Sequence, residues 1–185
     1  IRDSIDNFNA VNDSIRYLYT LGHKRIGFMT GLADSDVGKN RYEGYKNGLM
    51  SNGLVLDDEL VYKGNYSFKS GLAGAEYFLS LKERPTAIVC ANDSMAIAAI
   101  RLITEHGLNV PDDISIIGFD DVEVASQISP ALTTLAAPIA ETAERALDIL
   151  LSLMNGEKTE NRHIALPAKL VIRRSCAEAK EPLVA

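Results

Sequence analysis

Two periods of hydrophobic and polar positions run along this chain. Over residues 8–21, FNAVNDSIRYLYTL, the apolar positions Val11, Ile15, Leu18 and Leu21 recur at helical spacing. Gly22 follows as a C-terminal stop, and His23, Lys24 and Arg25 put cationic groups near the negative end of the helix dipole. RIGFMTG then reads as a short buried strand closed by a glycine turn. A second helix is predicted over residues 38–52, where Gly44 and Gly48 lie four apart and suit close packing on a sheet. ELVYKG predicts a strand. Residues 69–82 predict a helix with Leu72, Ala75 and Leu79 in register, stopped by Pro85. TAIVCA is a strand, SMAIAAIRLITEHG a helix closed by Gly107, and SIIGFD a further strand.

Strand starts recur at intervals of about 25 to 35 residues with a helix in each gap, the rhythm of an α/β fold with a doubly wound, mostly parallel sheet. Such sheets bind ligands in the crevice beyond the carboxyl ends of their strands. Four segments fall there: TGLADSD, GNYSF, ANDS and GFDD. Each carries polar side chains able to meet a ligand.

After Pro130 the pattern changes. LTTLAAP is a short extended segment. Residues 138–155 predict a strongly apolar helix through Ile139, Ala143, Ala146, Leu147, Leu150 and Leu151, ended by Gly156. HIALP and KLVIRR read as two short strands around Pro167. The tail CAEAKEPLVA has no periodic pattern and is expected to be mobile.

Composition narrows the class. The 185 residues are 46% hydrophobic and 24% charged, ordinary for a globular protein, and no apolar run approaches the length of a membrane span. A net charge of −6 argues against a nucleic-acid surface on this chain, which should be basic. The N-terminal IRDSIDNF lacks the basic and apolar regions of a secretory leader. Two cysteines far apart, Cys90 and Cys176, form no CxxC and no disulfide framework, so a reducing, cytoplasmic setting is expected. Phosphate loops, a placed GxGxxG, zinc motifs and a nucleophile elbow are all absent from the sequence. Neither a metal nor a cofactor is therefore expected, and no enzyme.

LGHKRIGFMTG, NRYEGYKNGL, PTAIVCANDSMAIAAIRLITEHGLNVPDDISIIGFDD, SPALTTL and LPAKLVIRRS, in that order, resemble the lactose-repressor/galactose-repressor (LacI/GalR) family of transcriptional regulators. The resemblance runs from about Ile5 to Ser175. It implies an effector-binding domain like a periplasmic sugar-binding protein, in which two Rossmann-like lobes close over a small molecule. The family's DNA-binding headpiece, its hinge helix and the first strands of its N-terminal lobe have no counterpart here, so either a truncated gene product or a piece of a longer protein is expected. Residues 1–136 would be the C-terminal lobe, with SIDN as the strand that enters it. Residues 137–165 would be a returning helix and strand of the N-terminal lobe, 166–176 a final strand back in the C-terminal lobe, and 177–185 a flexible tail. With only one wall of the cleft, weak or absent effector binding is expected. The apolar helix at 138–155 would have lost its sheet, and is expected to repack or to pair with another chain.

The resemblance carries Arg41 onto the family's effector-clamping arginine, whose planar fork suits hydroxyl pairs or a carbonyl. It carries Asp120 onto an acceptor for effector hydroxyls or a base N–H. Tyr66 falls where family members often place an aromatic ring against the ligand, and Asp6 at the cleft floor. Asp121 reads as a loop carboxylate. At the join CANDSMA, Asn92 is expected to touch the effector and Asp93 to cap the following helix. That helix is apolar on nearly all sides, more than one sheet contact needs. The resemblance places Ile97, with Ile128, at a homodimer interface. The expected partners are thus a small effector (a sugar, a nucleoside or a purine), a second copy of the chain, and operator DNA through the missing headpiece. A transport-type sugar-binding protein is the rival reading. A small enzyme using Asp120 and Asp121 is a more distant one.

Overall fold

The structure is a computed structural model that describes residues 2–156 and 163–180. A short strand β1 (Arg2–Ile5) leads into helix α1 (Asn7–Thr20). Then follow β2 (Ile26–Met29), α2 (Asp36–Ser51), β3 (Val61–Tyr62), α3 (Phe68–Ser80), β4 (Ala87–Cys90) and α4 (Asp93–Glu105). The chain continues with β5 (Ser115–Asp120), a short α5 (Glu123–Gln127), β6 (Thr133–Ala136), α6 (Ile139–Met154), β7 (His163–Leu166) and β8 (Lys169–Val171).

Six strands form one sheet in the order β3-β2-β4-β5-β6-β8, parallel except for β8, which runs antiparallel to β6. Counted from the sheet's own first strand, this is the doubly wound order 2-1-3-4-5 with an added edge. Its direction of winding reverses between β2 and β4, where such sheets open a crevice.

The period-two alternation of the strands divides the core into two layers. Ile26, Phe28, Val89, Ile117 and Phe119 face α1 and α2, packing with Val11, Ile15, Leu18, Tyr45 and Leu49. Met29, Ile88, Cys90 and Ile116 face α3 and α4, packing with Phe78, Met95 and Ile103. Gly44 and Gly48 serve a close approach, but to α1 rather than to the sheet. A methyl group on Gly48 would lie 2.7 Å from Ile15 Cβ, and one on Gly44 would overlap the Phe8 carbonyl.

A second, two-stranded sheet pairs β1 with β7 in parallel, so residues 2–5 stand with the returning segment rather than with the large sheet. α6 packs on β1 and has no buried residue; Ile139, Leu147, Leu150, Leu151, Leu153 and Met154 are all exposed. The helix has therefore not repacked onto the large lobe.

Two expectations about the chain's ends change. The tail docks as far as Lys180: the Ala179 N–H donates to the Leu21 carbonyl at 2.8 Å, and the Ala177 N–H to Ser115 Oγ at 3.1 Å. Residues 181–185 lie outside the described residues. His23 is no surface cation at a helix end. It is buried, with Nδ1 2.9 Å from Thr86 Oγ1 and Nε2 3.0 Å from the Ala177 carbonyl. A carbonyl only accepts, so Nε2 carries the proton and Nδ1 accepts from the threonine hydroxyl. Burial lowers the pKa of the ring and keeps it neutral, and it pins the tail to the sheet's amino end.

Candidate functional site

The crevice at the carboxyl ends of β2, β4 and β5 gathers polar groups from four elements. Arg41 lies on the buried stripe of α2 with Gly38, Gly44, Tyr45 and Gly48, and only 5% of it is exposed. A guanidinium on an apolar stripe needs partners for its donors. Its Nε donates to Asn7 Oδ1 at 2.7 Å, Nη1 donates to the Ala91 carbonyl, and the group lies over the Phe119 ring, 3.4 Å from the centroid. Nη2 stands 3.8 Å from Asp120 Oδ1, beyond hydrogen-bond length. Burial lowers the guanidinium's pKa, and Asp120 opposes that shift.

Asp120 ends β5 with φ at +110° and its side chain 35% exposed. Its pKa is pushed up to about 6, mainly by burial and further by the Asp93 charge, against the pull of Arg41. A cation and an acidic side chain thus face each other across a short gap. A hydroxyl placed between them could donate to Asp120 and accept from Arg41.

Tyr66 also has positive φ, +68°, and lays its ring where a side chain on Gly31 would be. Its hydroxyl is buried and has no partner among the described residues. Asn92 holds this loop: Nδ2 donates to the Tyr66 carbonyl at 3.0 Å. The same side chain is the N-cap of α4, with Oδ1 accepting the Met95 N–H at 3.0 Å. The expected division of labour at CANDSMA is therefore reversed in part. Asn92 caps, and Asp93 turns inward, wholly buried, accepting the Val122 N–H at 2.9 Å. The amide of Asn92 keeps one hydrogen and one lone pair uncommitted for a ligand.

Asp6 is the N-cap of α1. Its carboxylate accepts from Asn9 N at 3.0 Å and Asn9 Nδ2 at 2.6 Å, so both oxygens are engaged within the helix's first turn. The polar group that α1 brings to Arg41 comes from the next residue, Asn7, 8% exposed, whose Nδ2 donates to the Ile5 carbonyl at 3.0 Å. Nothing in the local sequence marks Asn7 as a site residue; only the packing of α1 on α2 brings it there. Asp121 pairs with Arg173 at 2.6 Å, in keeping with a loop carboxylate.

The apolar surplus of α4 has an internal explanation. Gly71 of α3 lets that helix meet Met95 and Ala98 closely, so a second face of α4 is covered within the chain. Ile97 and Ile128 pack half-buried against this core and keep part of their surface. A separate recess of about 490 Å³ is lined by Thr30, Gly38, Lys39, Tyr42, Asp58 and Lys63, among others, and by none of Arg41, Tyr66, Asn92 and Asp120. Its lysines are exposed, so the convergent buried polar groups mark the crevice as the candidate site. Among the described residues no cluster of His, Cys, Asp or Glu could hold a metal ion, and no helix is long and apolar enough to cross a membrane.

The sequence matches the family model of the periplasmic binding protein-like domain over residues 15–176. The chain belongs to this family. Its relatives are LacI-family regulators. The transcriptional repressor CytR of Escherichia coli is 36% identical over 171 residues, 92% of this chain and 50% of that protein. A complex of the transcriptional regulator CelR with cellobiose superposes with a TM-score of 0.89 at 30% identity, covering 94% of this chain and 53% of that one. The lac repressor dimer bound to operator and the anti-inducer ONPF gives 0.88 at 31% identity, covering 95% and 60%. The chain spans about half the length of the curated relatives it matches.

Proposed function

We propose that this chain is the effector-binding part of a LacI-type transcriptional repressor of the cytoplasm, and that it takes a small hydroxylated or heterocyclic effector against Arg41, Tyr66, Asn92 and Asp120. The carrying observation is the Arg41–Asp120 pair held 3.8 Å apart in the crevice at the carboxyl ends of the strands. One donor and one acceptor face a common space, as recognition of a sugar hydroxyl or a base edge requires. The relative bound to cellobiose supports a sugar as one candidate. A nucleoside or purine would use the same donor and acceptor through its base edge and lay its plane on Tyr66.

In this reading a homodimer forms through the surface that carries Ile97 and Ile128, and operator DNA is met by a headpiece outside this chain. The effector acts only by binding one lobe arrangement more tightly than the other. The coding sequence upstream of Ile1 tests the class. An in-frame helix-turn-helix supports the repressor; a secretory leader followed directly by the missing lobe would replace it with a transport-type binding protein.

A further inference from the structure

Asp120 and Asp121 are consecutive non-glycine residues with positive φ, +110° and +59°. Two such residues in a row persist only where the surroundings over-determine them. One restraint is Arg173, which bonds Asp121 Oδ1 at 2.6 Å and the Leu132 carbonyl at 2.8 Å. The other is Asp93. Its Oδ2 accepts the Val122 N–H at 2.9 Å and its Oδ1 accepts the Thr134 hydroxyl at 2.5 Å.

The sheet makes room for this carboxylate. A side chain on Gly118 would overlap Asp93 Oδ1, so the glycine in GFDD lets the carboxylate lie against β5. Although Asp93 is the first residue of α4, the capping bond belongs to Asn92. The buried oxygens of Asp93 are aimed at the turn after β5 and at β6, away from the helix that carries it.

We propose that Asp93 is a positioning residue for Asp120: it fixes the two-residue left-handed turn that holds the Asp120 carboxylate opposite Arg41. The relevance of Asp120 to an effector rests on the function proposed above; the restraint itself does not. Nuclear magnetic resonance of the ligand-free chain tests it, so a failed effector reading and a failed positioning role give different results. In the wild type the Val122 amide, held by Asp93 at 2.9 Å, should exchange about tenfold or more slowly than a free loop amide. An unprotected Val122 amide overturns the proposal at once. Asp93→Leu keeps the γ-branched shape and removes the acceptors, and should return Asp120 and Asp121 to negative φ, read from their three-bond couplings, while the β2 and β4 amides keep their shifts. Asp93→Asn keeps an acceptor and should retain the turn. Gly118→Ala, which displaces the carboxylate without removing it, should lose the turn as Asp93→Leu does. If Asp93→Leu does not fold, Gly118→Ala and the wild-type Val122 amide decide the matter. Left-handed couplings that survive in either variant overturn the proposal.

Discussion

The Arg41 guanidinium lies 3.4 Å from the centroid of the Phe119 ring, so the cation of the site rests on the last apolar residue of β5 before Asp120. This contact and the bond to Asn7 set its plane. Arg41→Met would leave Asn7 Oδ1 and the Ala91 carbonyl without their donor. A loss of roughly 2–4 kcal/mol in unfolding free energy is expected from two orphaned acceptors, read by urea denaturation. Arg41→Lys should lose about half as much, because an ammonium keeps the charge but not the fork.

Asp120 gives the site a pH dependence of definite sign. Its folded pKa of about 6 lies above the ordinary value of 3.8, so folding takes up a proton between them. Stability from this group therefore falls as pH rises through that window. Asp120→Asn, which tolerates positive φ, should equal the wild type near pH 4 and exceed it above about pH 6 in denaturation series. A variant less stable than wild type at pH 8 would contradict the burial of this carboxyl. Effector hydroxyls donate to the ionised form, so affinity should drop as pH falls below about 6.

Gly31 and Tyr66 are matched by shape. Gly31→Ala would overlap the Tyr66 ring and should turn it out of the crevice. The chain has no tryptophan, so Tyr66→Trp supplies a single emitter for this test. Its emission should shift to the red when Gly31→Ala is added. In the otherwise wild-type chain, Gly31→Ala should weaken an effector about tenfold, the worth of one aromatic contact.

Two surfaces bear on association. The exposed leucines of α6 form the stickier one. The 185-residue chain alone should bind an apolar dye and self-associate. Glutamate at Leu147, Leu150 and Leu151 should abolish dye binding while changing stability by less than about 0.5 kcal/mol. In that background, Ile97→Asp should shift any remaining dimer to monomer in sedimentation. An unchanged sedimentation profile would remove Ile97 from the interface.

The fold was legible because its strands and helices carry their burial in period. Met29, Ile88 and Cys90 alternate with Phe28 and Val89, and Val11, Ile15 and Leu18 keep one helical face. Legibility ended where a polar side chain had to choose between partners distant in sequence. Asn92 and Asp93 offer the same capping chemistry. The 41-residue separation of Asp93 from Thr134 and the glycine at 118 decide which one turns inward. Asn7 was hidden for the same reason: its acceptor meets Arg41 only through the packing of α1 on α2. The docked tail was missed because backbone bonds to Leu21 and Ser115 leave no mark in hydrophobic period. On α4 the apolar surplus has two uses: α3 covers one further face, and Ile97 stays half-buried at the surface.

The most direct measurement is an amide chemical-shift titration of the chain with ribose, cellobiose, nucleosides and purine bases. With one lobe's wall in place, one of these is expected to bind at about millimolar affinity. The shifts should map to Tyr66, Ala91, Asn92, Asp120 and Asp121, and should vanish in Arg41→Met and in Asp120→Ala. Shifts that map instead to the recess around Lys39 and Lys63, or that persist in both variants, would contradict the assignment of the crevice as the effector site.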